Sequence, residues 1–307
     1  MYHFIVNIRG GSGKAFLKWK KIVRLLKEKN VEYKAHITQY QGHASEIARE
    51  LSSGSETVNL IVIGGDGAVN EVVNGIADFS KIRLGLIPTG SGNDFSRGLK
   101  IPRKNPKKAL EKILKSDGNQ KIDLGRTTVL STGESKLFGI SSGYGLNAIV
   151  GTSINSARIK KILNFIHLGS LSYAFYTVQT LFTMKTQSVT LRFDDEKPVS
   201  YNKLIFIANQ NSFCEGGGVP MTPKAQMNDG YLSFCMAAGL PRIVTFFAFP
   251  MLCLGLHSVF PGFMLKNYKK LEIESESPTI LHTDGELMGN VEKVRWEVVP
   301  SILNVLV

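Results

Sequence analysis

The sequence predicts an α/β plus all-β protein, with an N-terminal doubly wound α/β domain followed by a C-terminal antiparallel β-sandwich. Three observations predict it. Short apolar strands alternate with amphipathic helices over the first part of the 307-residue chain, the pattern that produces a parallel sheet covered by helices. One of those strands, residues 57–63, is a near-continuous apolar run, as burial on both faces requires. From Gly125 onward the texture changes to short strands separated by turn residues, the habit of an antiparallel sandwich.

Each element follows from local pattern. Residues 4–8 make a short apolar strand. Residues 16–30 make a helix, because Phe16, Trp19, Ile22, Val23 and Leu26 recur at helical spacing while the other face is basic. A strand near 32–38, a helix near 44–52, the buried strand 57–63, a helix over 69–77 and a strand over 83–87 come next. A helix begins at 94–98 and another covers 107–114. In the second part, strands are expected at 188–193, 204–208, 231–237, 270–274, 279–283 and 291–299. Helices are expected within 154–184 and at 243–256. The first domain is assigned to residues 1–125 and the second to 126–300.

Charge and cysteine content narrow the class. The formal net charge is +12 and the pI is about 9.5, which favours polyanionic partners: nucleic acid, nucleotide phosphate or anionic lipid headgroups. No nucleic-acid recognition motif accompanies the charge, so no nucleic-acid partner is expected. Cys214, Cys235 and Cys253 are odd in number and lack CxxC spacing, against a disulfide framework or zinc site and for a reducing compartment. Phe4-Ile5-Val6 reads as a first strand rather than part of a signal peptide, so the expected location is cytoplasmic. Residues 243–265 carry no charge and approach the length of a membrane span. Pro250 and Pro261 interrupt them, which favours a buried or membrane-touching helix.

The chemistry-bearing residues lie in the glycine loops. Gly64-Gly65-Asp66-Gly67 follows a buried strand and precedes a helix. There, glycines let backbone N–H groups approach an anion and the helix N-terminus favours it. An acid in such a cradle would repel phosphate unless a cation intervenes, which implicates Asp66 in Mg²⁺-nucleotide handling; the plain alternative is a tight turn with a capping Asp. Pro88-Thr89-Gly90-Ser91-Gly92-Asn93-Asp94 repeats the pattern after the next strand. Ser91 offers a hydroxyl, Asp94 a helix cap or a second acid facing Asp66, and Arg97 a phosphate contact or a surface cation. Gly10-Gly11-Ser12-Gly13-Lys14 is not a Walker A loop, because Ile8 and Ala15 stand where Gly and Ser/Thr belong. It still makes a second phosphate-contacting loop plausible, with Lys14 as a point charge. Asn70 stands where the third glycine of a dinucleotide fingerprint would be, which disfavours a Rossmann dehydrogenase. Near the end, His282-Thr283-Asp284-Gly285-Glu286 reads as an acidic hairpin turn or as the site of a general base.

Taken in order, these motifs resemble the soluble diacylglycerol kinase and sphingosine kinase superfamily, relatives of NAD kinase. Further matches lie at Asn7 and Gly11, at Thr38 with Gly42-His43-Ala44, at Lys121-Ile122-Asp123-Leu124-Gly125, at Glu215-Gly216-Gly217-Gly218, and along residues 224–232. The resemblance implies ATP contacts from residues 7–11, Thr38, Gly64, Gly65, Asp66, Gly67, Ala68, Asn70, Glu71, Ser91 and Asn93. It implies a water-linked acidic network of Asp66, Asp94 and Asp123 around Mg²⁺, Glu286 as proton acceptor with Asp284 beside it, and a second Mg²⁺ held by Asp229 with the carbonyls of Gln226 and Tyr231. It also implies that a final strand, about residues 301–307, returns to the first domain. Four positions depart from the family pattern. Ile8 follows Asn7 in place of Pro, Ala68 replaces a Thr and removes its hydroxyl, Ser91 replaces a Thr, and Asn228 replaces an acid found in some members.

The implied activity is transfer of the γ-phosphate of ATP to a lipid hydroxyl, with diacylglycerol giving phosphatidic acid. Contact with the membrane would be peripheral and transient, and the sequence leaves a homodimer open. Arg158, Lys160 and Lys161, followed by apolar residues 162–166, are candidate docking groups. Residues 243–256 could line an acyl channel or serve as plain core. Two other readings stand beside it: a kinase for a soluble acceptor, disfavoured by the greasy 243–265 stretch, and a catalytically weak nucleotide- or lipid-binding protein, motivated by Ala68.

Overall fold

A computed structural model describes residues 1–8, 14–146, 148–149 and 179–307. Its first half is a parallel sheet in the order β2 (Tyr33–Ile37), β1 (Tyr2–Val6), β3 (Val58–Gly64) and β4 (Ile82–Pro88). Leu60–Ile63 are completely buried, because helices cover both faces. Helix α1 (Lys14–Glu28) packs beside α5 (Pro106–Lys115), and α2 (His43–Ser52) beside α3 (Asp66–Gly75). The apolar residues of these helices merge with the strands in a single core. Burial of a Leu or Ile side chain contributes about 1.5–3 kcal/mol, so the period-3.6 and continuous-apolar patterns read from the sequence are what hold this layer together.

The second half is antiparallel. β10 (Leu204–Gln210) lies between β7 (Ser141–Gly145) and β11 (Leu232–Ala238), and β11 pairs with β12 (Phe263–Tyr268). β13 (Lys270–Thr283) pairs with β7, with β8 (Val189–Phe193) and with β14 (Glu286–Val305). β5 (Gln120–Val129) pairs with β14 and with β6 (Ser135–Phe138), and β9 (Val199–Tyr201) with β8. Trp296, Tyr144 and Tyr268 are fully buried inside. Helix α6 (Arg242–Cys253) covers β10 and β11 from the other side through Leu252 and Phe249.

β14 belongs to both halves. Its first part pairs with β13 and β5, while Asn304 and Val305 pair in parallel with Arg83 and Leu84 of β4. The strand breaks register between Val299 and Leu303. Pro300 lacks an N–H there and Ser301 takes φ 51°.

Several elements differ from the sequence expectation. α3 starts at Asp66 rather than near residue 69, because Ala68 and Val69 donate to the Gly65 carbonyl and the glycine loop itself forms the first turn. Residues 243–265 are not one unit. The helix ends at Cys253, Gly255 takes φ 73°, and Phe263 already belongs to β12. β5 runs unbroken through Gly125. β6 and β7 carried no strand signal; Ser-Ser-Gly-Tyr-Gly of β7 is buried by its neighbours rather than by its own apolar content. Of the expected 154–184 helices, residues up to 178 lie outside the described residues, as do Arg158, Lys160, Lys161 and residues 162–166.

Candidate functional site

The carboxyl ends of β1, β3 and β4 all open on one side, and their loops meet there. Thr89 N donates to the Gly64 carbonyl at 2.8 Å, tying the loop after β4 to the end of β3. The two loops then touch. A Cβ at Gly65 would lie 3.1 Å from Gly90 Cα, and one at Gly90 would lie 2.8 Å from Gly65 Cα. Asn93 takes φ 53° and its Nδ2 donates to the Gly90 carbonyl at 2.6 Å. The side-chain oxygens Thr89 Oγ1 and Asn93 Oδ1 are buried here without a hydrogen-bond partner.

Asp66 and Asp94 divide the work differently from the expectation. Asp66, not Asp94, caps the short helix α4 (Asp94–Gly98): its oxygens accept from Asp94 N at 3.1 Å and Phe95 N at 3.2 Å. Asp94 reaches the other half of the molecule, accepting from Gly217 N at 2.7 Å and pairing with Arg97 Nε at 3.1 Å. Arg97 Nε also donates to the Gly92 carbonyl. Burial raises the pKa of both carboxyls above the ordinary range, more than the backbone donors lower it. Gly92 separates the two: a Cβ there would lie 3.1 Å from Asp66 Oδ2 and 3.4 Å from Asp94 Oδ2.

The third loop is Glu215-Gly216-Gly217-Gly218, whose glycines take φ 63°, 90° and 113°. Gly217 lies against Gly92, and Gly218 leaves room for the Arg97 guanidinium. Glu215 accepts from Gln210 Nε2 at 2.7 Å. Cys214, buried against Asp94, has its thiol pushed up to about 12, chiefly by burial.

The acidic turn joins the same wall. Asp284 and Gly285, at φ 49° and 85°, are the two central residues of the tight β13–β14 hairpin, the Asp-Gly pairing that type I′ turns favour. The Asp284 carboxylate is enclosed although its backbone is partly open. It accepts from Gly139, Ile140 and Ser141 N at 2.8–2.9 Å, and from Asn70 Nδ2 of α3 at 3.2 Å. Burial pushes its pKa up to about 6. Glu286, two residues on, is exposed. His282 accepts from Gly285 N through Nδ1 at 3.3 Å, and burial lowers its pKa.

Asp123 makes its bonds in a second cluster. Its oxygens accept from Ser301 N and Gly230 N, each at 2.7 Å, and its own N–H donates to the Met227 carbonyl. It thereby fixes the loop carrying Gln226, Asp229 and Tyr231. Asp229 Oδ1 accepts from Tyr231 N at 3.1 Å, and the residue is exposed.

The remaining expected ligand residues sit at the cleft rim. Asn7 and Thr38 close β1 and β2, donating N–H to Ile63 and Val6 carbonyls. Gly67 and Ser91 are exposed and Glu71 half-buried on α3. Ala68 is buried beneath Gly64. Gly11 lies outside the described residues; Lys14 opens α1, its side chain undescribed.

Sequence reasoning missed Asn74, which exchanges hydrogen bonds with Leu137 and ties α3 to β6. It also missed residues 209–212, all fully buried. Their signal was available: Asn-Gln-Asn-Ser follows an apolar strand directly, which is unusual unless the polar atoms serve a joint or a site. Among the described residues no three His, Cys, Asp or Glu side chains are grouped to hold a metal, and no helix is long and apolar enough to cross a membrane.

An α/β layer with glycine loops at its strand ends, faced by a β-sandwich that lends a third loop, defines a two-domain nucleotide-dependent kinase class. Residues 1–127 match the diacylglycerol kinase catalytic domain, and residues 140–307 match the YegS C-terminal NAD kinase beta sandwich-like domain. The chain belongs to this diacylglycerol kinase-like lipid kinase family. YtlR of Bacillus subtilis is 27% identical over 291 residues, 94% of each chain. A diacylglycerol kinase of Staphylococcus carnosus is 28% identical over 292 residues, 91% of this chain and 87% of that one. A crystal structure from Bacillus anthracis shares the fold, with TM-score 0.77, 24% identity and coverage of 99% and 94%.

Proposed function

We propose that the protein transfers the γ-phosphate of ATP to a lipid hydroxyl, most readily that of diacylglycerol, giving phosphatidic acid. The observation that carries this reading is the meeting of three glycine loops, from both halves, around the buried Asp94 and the half-buried Asp66, with the acidic hairpin turn bonded to the first helix after the loop. Phosphoryl transfer needs positioning, charge neutralisation and a proton acceptor more than covalent help.

Each part of that requirement has residues to meet it. The half-buried backbone of Gly65 and Asp66, with exposed Gly67 and Ser91, cradles the phosphates at the start of α3. The Thr89 and Asn93 side chains are packed inside the same loop and hold its shape beneath the phosphates. Mg²⁺ bound with the nucleotide supplies neutralisation of phosphate charge. Such an ion keeps most of its water and needs few carboxylates, which fits Asp66 and Asp94, whose oxygens are already taken by backbone donors. Asp229, with one oxygen bonded locally, and the carbonyls of Gln226 and Tyr231 suit a second, structural cation. Glu286 takes the proton of the attacking hydroxyl, and Asp284 holds the turn that presents it.

Labelled γ-phosphate transfer to a panel of lipids in mixed micelles tests the reading, with wild type beside Glu286→Gln. Transfer by wild type should fall about 10²–10⁴-fold in the variant, with ATP affinity retained. Transfer to a soluble acceptor alone, or to none, would overturn it.

A further inference from the structure

We propose that the outward face of α6 and the turn after it dock this protein onto an anionic lipid bilayer, with the phosphate cleft held at the headgroups. The inference rests on the lipid kinase reading and adds the surface that meets the membrane.

α6 uses one side for the sandwich and leaves the other apolar. Thr245, Ala248 and Leu252 are buried, whereas Ile243, Phe247 and Leu254 are 54–68% exposed. Val259, in the turn after the helix, is 70% exposed, and Leu256 is 50% exposed. Scattered surface apolar residues are normal, but a contiguous set this large marks an interaction surface. Among the described residues nothing polar interrupts it except Cys253 and Ser258.

Charge selects the occupant. No Asp or Glu occurs from residue 230 to residue 271, the stretch that holds α6 and the turn after it. Lys185, Lys224 and Arg242 stand in or beside the segments that build this end. The Arg242 guanidinium is anchored by the carbonyls of Phe182 and Met184. An apolar helix and turn whose own segment holds no carboxylate, in a chain of charge +12, match an acyl surface rimmed by anionic headgroups.

The face is also coupled to the cleft. Gly255, at the end of α6, lies against Pro220 and Pro223, and Val219 and Met221 share a cluster with Leu252. That segment continues directly from the Glu215–Gly218 loop, whose Gly217 bonds Asp94. Immersing α6 therefore seats against the bilayer a segment continuous with the third phosphate loop.

The test is cosedimentation of the full chain with phosphatidylglycerol-containing vesicles and with pure phosphatidylcholine vesicles, without nucleotide. Wild type should bind the anionic vesicles, and F247E/V259E should lose at least about tenfold in affinity. Variant binding equal to wild type, or no binding by wild type, would overturn the proposal. So would light scattering that shows a wild-type dimer become a monomer in the variant, because a second copy would then be the occupant. Val259→Trp checks the same face without added charge: brominated acyl chains should quench its fluorescence, and unquenched emission would count against immersion. A water-dispersed short-chain diacylglycerol keeps the two claims apart. If neither form phosphorylates any lipid while only wild type binds vesicles, the surface stands and the kinase reading falls. If both forms phosphorylate the short-chain lipid and bind vesicles alike, the kinase reading stands and the surface falls.

Discussion

Inside the acidic hairpin, the Asp284 carboxylate accepts four hydrogen bonds, three from consecutive backbone N–H groups and one from Asn70. Burial nevertheless lifts its pKa to about 6, against about 3.9 in an unfolded chain. The folded state therefore binds the extra proton between those values. The residue's titration favours the folded state fully below about pH 4, and this contribution is lost as pH rises through about 6. Asp284→Asn should remove that slope from urea midpoints measured across pH 4–7. It should also cost roughly 2 kcal/mol, because an amide cannot accept for all the donors it would face. Ala68→Thr probes the neighbouring loop. It restores a hydroxyl at the start of α3, and a hydrogen bond gained only at the transferring phosphate should raise kcat about fivefold. An unchanged kcat with an unchanged melting temperature would show that the missing hydroxyl does not matter. At this scale the motifs were legible because each is a local chemical statement: Gly-Gly-Asp-Gly after an apolar strand, Asp-Gly-Glu in a turn. What stayed hidden was the partner of each carboxylate. That Asp66 would cap α4 and leave Asp94 free to reach Gly217 depends on contacts 28 and 123 residues away in sequence.

The contact between the two loops of the α/β layer separates glycines that need their lack of a side chain from one that does not. A Cβ at Gly90 would meet Gly65 Cα at 2.8 Å, whereas one at Gly67 meets nothing within 4 Å. Carbon atoms prefer about 3.5–4.0 Å, so Gly90→Ala forces the loops apart. It should weaken ATP binding at least tenfold, the equivalent of about 1.4 kcal/mol of strain. Gly67→Ala, inside the first turn of α3, should leave the loops in contact and change melting little; equal effects of the two would refute the contact argument. The parallel strands and α1, α2 and α5 were legible because periodicity alone dictates them. β7 was not, since small and polar residues become a strand only when β10 and β13 enclose them. The 243–265 run was legible as a helix but not in where it ends: apolar content is shared by helix, turn and strand, and Pro250, Gly255, Pro261 and Gly262 punctuate it without saying which is which.

Across the whole molecule, Asp123 and β14 join the two halves. Asp123 holds Ser301 where β14 breaks register and Gly230 beside the 226–231 loop, all from inside the core. Asp123→Ala removes the acceptor of the Gly230 and Ser301 N–H groups from inside the core and should cost roughly 1–3 kcal/mol. A drop in the denaturant midpoint, with looser coupling between the halves in hydrogen exchange, checks it. An unchanged midpoint would mean the joint is held by strand pairing alone. The division into an α/β layer and a sandwich was legible in the change of texture near Gly125. The joint was not, because a carboxylate bonded to residues 107 and 178 positions away leaves no local trace. The sharing of β14 also has a consequence in time. The edge of the first sheet beside β4 receives its partner from residues 304 and 305, which leave the ribosome only after the entire sandwich has been made. Until then the nascent first half carries an open, apolar edge of the kind that invites wrong pairing. This protein should therefore complete its fold late rather than half by half.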